Sequence, residues 1–78
     1  MTKYRFYEWD MINGEMLYSE VFDTEDEALN ALESTIKDAE KRGWDCYYDG
    51  SGRYICTKCE EEEGEEYCYE SELGIEEV

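Results

Sequence analysis

Seventy-eight residues suffice for one small domain, and 23 acidic against 7 basic side chains give a net charge of −16. That charge repels phosphate, which excludes direct nucleic-acid binding and argues against docking on an anionic membrane; the lack of histidine excludes histidine-based acid–base and triad chemistry. Val, Ile, Leu and Phe number only 12, but 12 residues are aromatic, so the chain reads as a folded domain with an aromatic core rather than a disordered one.

Residues 3–9, KYRFYEW, and 15–22, EMLYSEVF, read as strands flanking Asn13-Gly14. Asn-Gly favours a two-residue type I′ turn. Such a turn pairs Ile12 with Glu15, Trp9 with Tyr18 and Phe6 with Val21. One face of this hairpin then carries Tyr4, Phe6, Leu17 and Val21. The other carries Tyr7, Trp9, Met11, Met16, Tyr18 and Phe22. Both are apolar enough to bury, more than one helix can cover, which predicts a homodimer through this first hairpin or a partner covering the rest.

Residues 25–42 read as a helix. Thr24 and Glu27 fit a capping box, and three acids occupy the first turn. Ala28, Leu29, Leu32, Ile36 and Ala39 form one stripe. Glu33/Lys37 and Asp38/Arg42 are i,i+4 pairs with the acid first, and Gly43 suits the position after the C-cap.

Residues 44–48 and 53–59 read as strands joined by a three-residue loop, which pairs Cys46 with Cys56 and sets Trp44, Cys46, Tyr48, Tyr54 and Cys56 on one face. A turn at Glu63-Gly64 pairs Cys59 with Cys68 and Tyr54 with Leu73, making residues 67–73 a fifth strand. The expected fold class is α+β: an antiparallel sheet of four to five strands, ββαβββ, with one helix packed on one face. Residues 1–73 form a single domain, and 74–78 are an acidic end expected to fray.

Cys56-Thr57-Lys58-Cys59 is a CxxC, and Cys46 and Cys68 could complete a zinc set. The expected strands put Cys46 and Cys56 on one face and Cys59 and Cys68 on the other, which argues against one tetrahedron. Buried thiols acting as small apolar residues, and one or two disulfides, are the alternatives. Paired carboxylates are uninformative among 23 acids, no calcium-loop pattern occurs, and the chain reads as a non-enzyme without cofactor.

The acid pattern itself remains. Residues 60–78 hold ten glutamates and no Lys or Arg. Glu61, Glu62, Glu65 and Glu66 crowd a hairpin tip. Asp45, Asp49, Glu70 and Glu72 are expected to point away from the aromatic face as a ladder, spaced ~6.6–6.8 Å along each strand. Tyr47 shares that face, and Tyr67 and Tyr69, which alternate to the opposite one, adjoin the tip. These eleven residues are the candidate partner-binding set. A compact chain of this length is ~30 Å across, and ~30 Å of duplex carries ~18 phosphates, close to the charge of −16.

Small size, high negative charge, no histidine, aromatic-rich strands and a single helix resemble the acidic inhibitors of phages and other mobile elements that mimic nucleic acid, among them anti-CRISPR proteins, anti-restriction proteins and uracil-DNA glycosylase inhibitors. The resemblance is one of composition and layout. It implies a partner that binds nucleic acid, with a CRISPR effector as first expectation, blocked in its basic cleft, and a location in the cytoplasm of an infected bacterium. The chain has no membrane-spanning run and no leader-like start. An acidic interaction module unrelated to nucleic acid and a four-cysteine zinc module are the alternatives.

Overall fold

The computed structural model describes all 78 residues, Met1–Val78. The elements run β1 (Tyr4–Asp10), β2 (Glu15–Phe22), α1 (Glu25–Lys41), β3 (Asp45–Tyr48), β4 (Arg53–Glu62) and β5 (Glu65–Glu77). The strands form one sheet in the order β2-β1-β5-β4-β3, with every pairing antiparallel. This is the expected α+β layout.

α1 begins as its sequence dictates. Thr24 is the N-cap, in extended conformation, and its hydroxyl oxygen accepts from the Glu27 N–H at 3.3 Å. That bond is one half of the expected capping box; in place of the other half, the Glu27 carboxylate accepts from the Thr24 hydroxyl at 3.0 Å. At the other end Trp44 N–H donates to Ala39 O at 3.0 Å and Gly43 N–H to Glu40 O at 3.1 Å, the paired bonds of a Schellman stop. Gly43 sits there at φ 94°, a conformation side chains disfavour. Asp38 and Arg42 pair at 2.9 Å as expected, whereas Glu33 and Lys37 form no ion pair. Ala28, Leu32 and Ala39 are buried and Ile36 packs against the core; Leu29 is left exposed.

α1 lies across one face of the sheet, here the inner face. Phe6, Cys56 and Leu73 come up from three adjacent strands to meet Leu32, with Phe22, Trp44, Cys46, Tyr54 and Ile75 around them. The β3–β4 register is as expected, Cys46 opposite Cys56. So is the β4–β5 register, Cys59 opposite Cys68 and Tyr54 opposite Leu73.

Two expectations are corrected. The first hairpin does not turn at Asn13-Gly14 alone. Asp10 pairs with Glu15 across a four-residue loop, and only Gly14 takes a positive φ, 68°. The Asp10 carboxylate holds this loop: it accepts from the N–H groups of Ile12 and Asn13 and from the Asn13 amide. That side chain competes successfully with the type I′ preference of Asn-Gly. A bulge follows, because Glu8 pairs with Tyr18 and Trp9 with Met16, leaving Leu17 extra. Tyr18 and Phe22 therefore join Tyr4 and Phe6 on the inner face, and Val21 moves to the outer one. The second correction concerns residues 74–78. β5 continues to Glu77 as the central strand of the sheet, paired with β1 from Tyr4↔Glu77 to Asp10↔Ser71, and Lys3 and Val78 exchange backbone hydrogen bonds. Gly74 and its neighbours cannot fray because β1 needs them as its second partner.

Candidate interaction surface

β4 and β5 outrun the sheet. β3 pairs only with residues 54–57 of β4, and β1 only with residues 71–77 of β5. From Lys58↔Tyr69 to Glu62↔Glu65 the two strands have only each other. The turn between them is Glu63-Gly64, both at positive φ, 53° and 82°, the two-residue geometry the sequence announces. This arm makes the molecule long: its extents are 52 × 24 × 21 Å and its radius of gyration is 13.6 Å. The expectation of a compact body ~30 Å across is thereby corrected. A duplex of the full 52 Å length would carry about 30 phosphates, so the match of total charge to a duplex disappears.

Six glutamates occupy residues 60–66, all exposed. Alternation puts Glu61 and Glu66 on the outer side of the arm, with Glu60, Glu62, Glu65 and Tyr67 on the inner side. An isolated two-stranded ribbon is marginal in water, and like charges facing across it repel. One disulfide, Cys59–Cys68, clamps its base. Tyr69 packs at a tilt against Trp44 of the body, ring centroids 6.2 Å apart, and Lys58 pairs with Glu60 at 3.1 Å. Tyr67 donates to Glu65 at 2.6 Å, and that bond to an anion raises the pKa of the phenol. Tyr67 and Tyr69 are 47% and 46% exposed, so both remain partly presented to a partner.

The expected ladder is broken up. Asp45, Tyr47, Glu70 and Glu72 do share the outer face through the rows Asp45–Thr57–Glu70 and Tyr47–Ile55–Glu72. But Glu72 accepts from the Tyr7 hydroxyl at 2.9 Å and from Arg53 at 3.1 Å. Asp49 is committed to its own turn, accepting from the backbone and hydroxyl of Ser51; those bonds, backbone first, lower its pKa. Only Asp45 and Glu70 stay uncommitted, and Glu70 is half-buried at the base of the arm. The concentrated free charge is on Glu61, Glu62, Glu65, Glu66 and their neighbours at the tip.

The cysteines divide as their registers require. Cys46 and Cys56 face α1, and Cys59 and Cys68 face outward, so the four cannot converge on one metal. Cys59 and Cys68 are spent as a disulfide, which takes from the nearby Cys59–Glu66–Cys68 cluster its thiolates. Burial pushes the Cys46 and Cys56 thiols up, so both stay protonated at neutral pH and act as core residues.

A constellation at the centre of the sheet was not legible in the sequence. Gly74 lies between Tyr7 of β1 and Arg53 of β4. The Tyr7 ring lies directly over it: a Cβ at position 74 would come within 2.6 Å of the Tyr7 hydroxyl. Through that gap Tyr7 and Arg53 both reach Glu72. Burial, then the hydrogen bond to the Glu72 carboxylate, pushes the Tyr7 pKa up to about 12. The clue was a glycine inside an alternating strand, but its partner is 67 positions away (74 − 7).

No family model, curated protein or solved structure matches the chain. No helix is long and apolar enough to cross a membrane.

Proposed function

We propose that this protein is an acidic inhibitor that inserts its β4–β5 arm into the basic cleft of a nucleic-acid-binding protein or complex, with carboxylates standing where phosphates would. The observation that carries this reading is the placement of charge: six glutamates within seven residues, at the end of a clamped arm that projects from a sheet where Glu72 and Glu76 are paired with Arg53 and Arg5. An acidic surface serving solubility alone has no need of a projecting ribbon whose like charges repel. Opposite fields speed encounter, and paired charges in the cleft hold the complex. CRISPR effectors, and after them restriction and repair enzymes, are the target classes that suit such a device. Catalysis is no part of the proposal, and no cofactor is needed for it.

Capture from a nuclease-treated bacterial lysate, followed by displacement of labelled DNA or RNA from each captured protein, tests this function. The proposal expects captured proteins to be nucleic-acid binders that release nucleic acid when the inhibitor is added. Reversing Glu61, Glu62, Glu65 and Glu66 to Lys should weaken displacement on the order of a hundredfold or more, since each close charge pair contributes on the order of 1.5 kcal/mol or more. Captured partners that bind no nucleic acid, or displacement unchanged by the reversal, would favour a general acidic interaction module.

A further inference from the structure

The outer face of the sheet is not covered by α1, and over β1, β2 and the part of β5 beside them its charges are paired, with Asp45 and Glu70 unpaired only toward the arm. Its rows run Ser19–Tyr7–Gly74–Arg53 and Met16–Trp9–Glu72–Ile55–Tyr47, with Val21–Arg5–Glu76 beside them. The four charges in these rows are joined as two ion pairs, Arg5–Glu76 at 2.9 Å and Arg53–Glu72 at 3.1 Å. Two of the chain's seven basic residues are thus used to cancel charge on one face of a protein that carries −16. Asp45 and Glu70 lie beyond, toward the arm. Tyr7, Trp9, Met11 and Met16, together with the paired Arg53 and Glu72 and with Glu76, line a shallow hollow of ≈ 570 Å³ on this face. α1 covers the other side of the sheet and cannot reach here.

We infer that a second copy of this chain covers the outer face, the two sheets packing face to face about a two-fold axis. Charge selects the occupant. Two copies at −16 repel wherever their acids meet, and the aromatic part of this face, where Glu72 and Glu76 are paired with Arg53 and Arg5, is where they can approach most closely. A basic partner is drawn to the free carboxylates of the arm and, apart from Asp45 and Glu70 toward that arm, meets compensated ones here. A two-fold contact uses the same patch on both copies, so the ion pairs of each can face those of the other without a net charge being buried. Packed sheets sit ~10 Å apart with strands crossed by about 30°. Five strands at ~4.8 Å and about six residues at ~3.3 Å give roughly 475 Å² of flat sheet per copy. With side-chain relief that approaches the ~1,200 Å² total at the low end of stable interfaces, so the dimer is weak, in the micromolar range.

Sedimentation equilibrium from 5 to about 500 μM tests it, at low and high salt. The expected result is a species of twice 9.3 kDa whose fraction grows with concentration and also with salt, because salt screens the repulsion between copies. Binding of a basic target weakens with salt, so failure here and failure of the proposed function are separate results. Met16 and Val21 are 45% and 47% exposed on this face, and Leu17 is 50% exposed on the bulge. The Met16→Glu/Val21→Glu variant should weaken the dimer at least tenfold, and Leu17→Glu less than threefold, with circular dichroism showing both folded. A monomer at about 500 μM in high salt overturns the inference, as does a double variant that dimerises like the native chain or a Leu17→Glu variant that is equally impaired.

Discussion

At the scale of single residues the arrangement around Gly74 explains most about the sheet. A glycine in a central strand loses packing and gains backbone freedom when unfolded, which weakens the strand. Here the cross-strand Tyr7 ring lies over the gap, so an aromatic side chain shields the bare backbone, and its hydroxyl joins Arg53 in binding Glu72. Gly74→Ala forces the ring away and breaks the bond to Glu72; chemical denaturation should show a loss of about 1–3 kcal/mol. In a Tyr7→Ala background the same change should cost much less, since the clash is gone, and additive losses would deny the coupling. The pKa of Tyr7 adds a pH signature. Its folded value, about 12, lies above the unfolded value near 10. The unfolded chain therefore loses this proton first, and the stability contributed by Tyr7 is complete below about pH 10 and lost as pH rises to about 12. Unfolding followed across that window should be less pH-sensitive in Tyr7→Phe than in the native chain.

At the scale of elements the arm and the body respond to different forces. The body is held by Phe6, Leu32, Cys56 and Leu73 beneath α1; the arm has no core and depends on its turn and on Cys59–Cys68. A disulfide closing about ten residues contributes about 2–3 kcal/mol in the chain-entropy description. Reduction should therefore open residues 60–67 to rapid amide exchange while β1, β5 beyond Ser71 and α1 stay protected; loss of protection throughout would make the arm part of the cooperative core. Thr24→Ala should cost about 1 kcal/mol by thermal or chemical unfolding, since the hydroxyl caps the Glu27 N–H. Local devices such as these could be read directly from the sequence. Glu63-Gly64 and the Thr24 and Gly43 caps act within a few residues, and the face rule fixed the β3–β4 loop. The first hairpin departs from the Asn-Gly expectation because Asp10 lies outside that pair yet satisfies the loop's N–H groups, and the bulge at Leu17 exchanges the faces of β2 from Tyr18 onward. β5 runs beyond residue 73 because its partner β1, at the far end of the chain, pairs with it to Glu77, a contact that no local signal announces. The arm's acidic tip was legible as composition, but the loss of Glu72 and Asp49 from the ladder was not. Their partners, Tyr7, Arg53 and Ser51, become visible only once the strands are in register.

At the scale of the whole molecule the distribution of charge matters more than its total. A chain of −16 extended over 52 Å has a patch of paired charges on its sheet at one place and an acidic arm at another. Both follow from where seven basic residues are spent. None lies beyond Lys58, so nothing on the arm's outer half offsets its glutamates. Self-repulsion should make the native chain more heat-stable as salt rises, the reverse of its effect on target binding. The central claim is that the arm is the binding element, and a comparison at constant net charge tests it most directly. Changing Glu61, Glu62, Glu65 and Glu66 to Gln leaves −16 + 4 = −12, and changing Glu25, Glu33 and Glu40 to Gln with Asp26 to Asn on α1 also leaves −12. Their long-range fields are similar, and only the arm variant loses the carboxylates that would enter the cleft. Affinity for the captured partner, measured for both at physiological salt, should fall on the order of a hundredfold for the arm variant and less than about fivefold for the helix variant; equal losses in the two, or the larger loss on the helix, would contradict the claim.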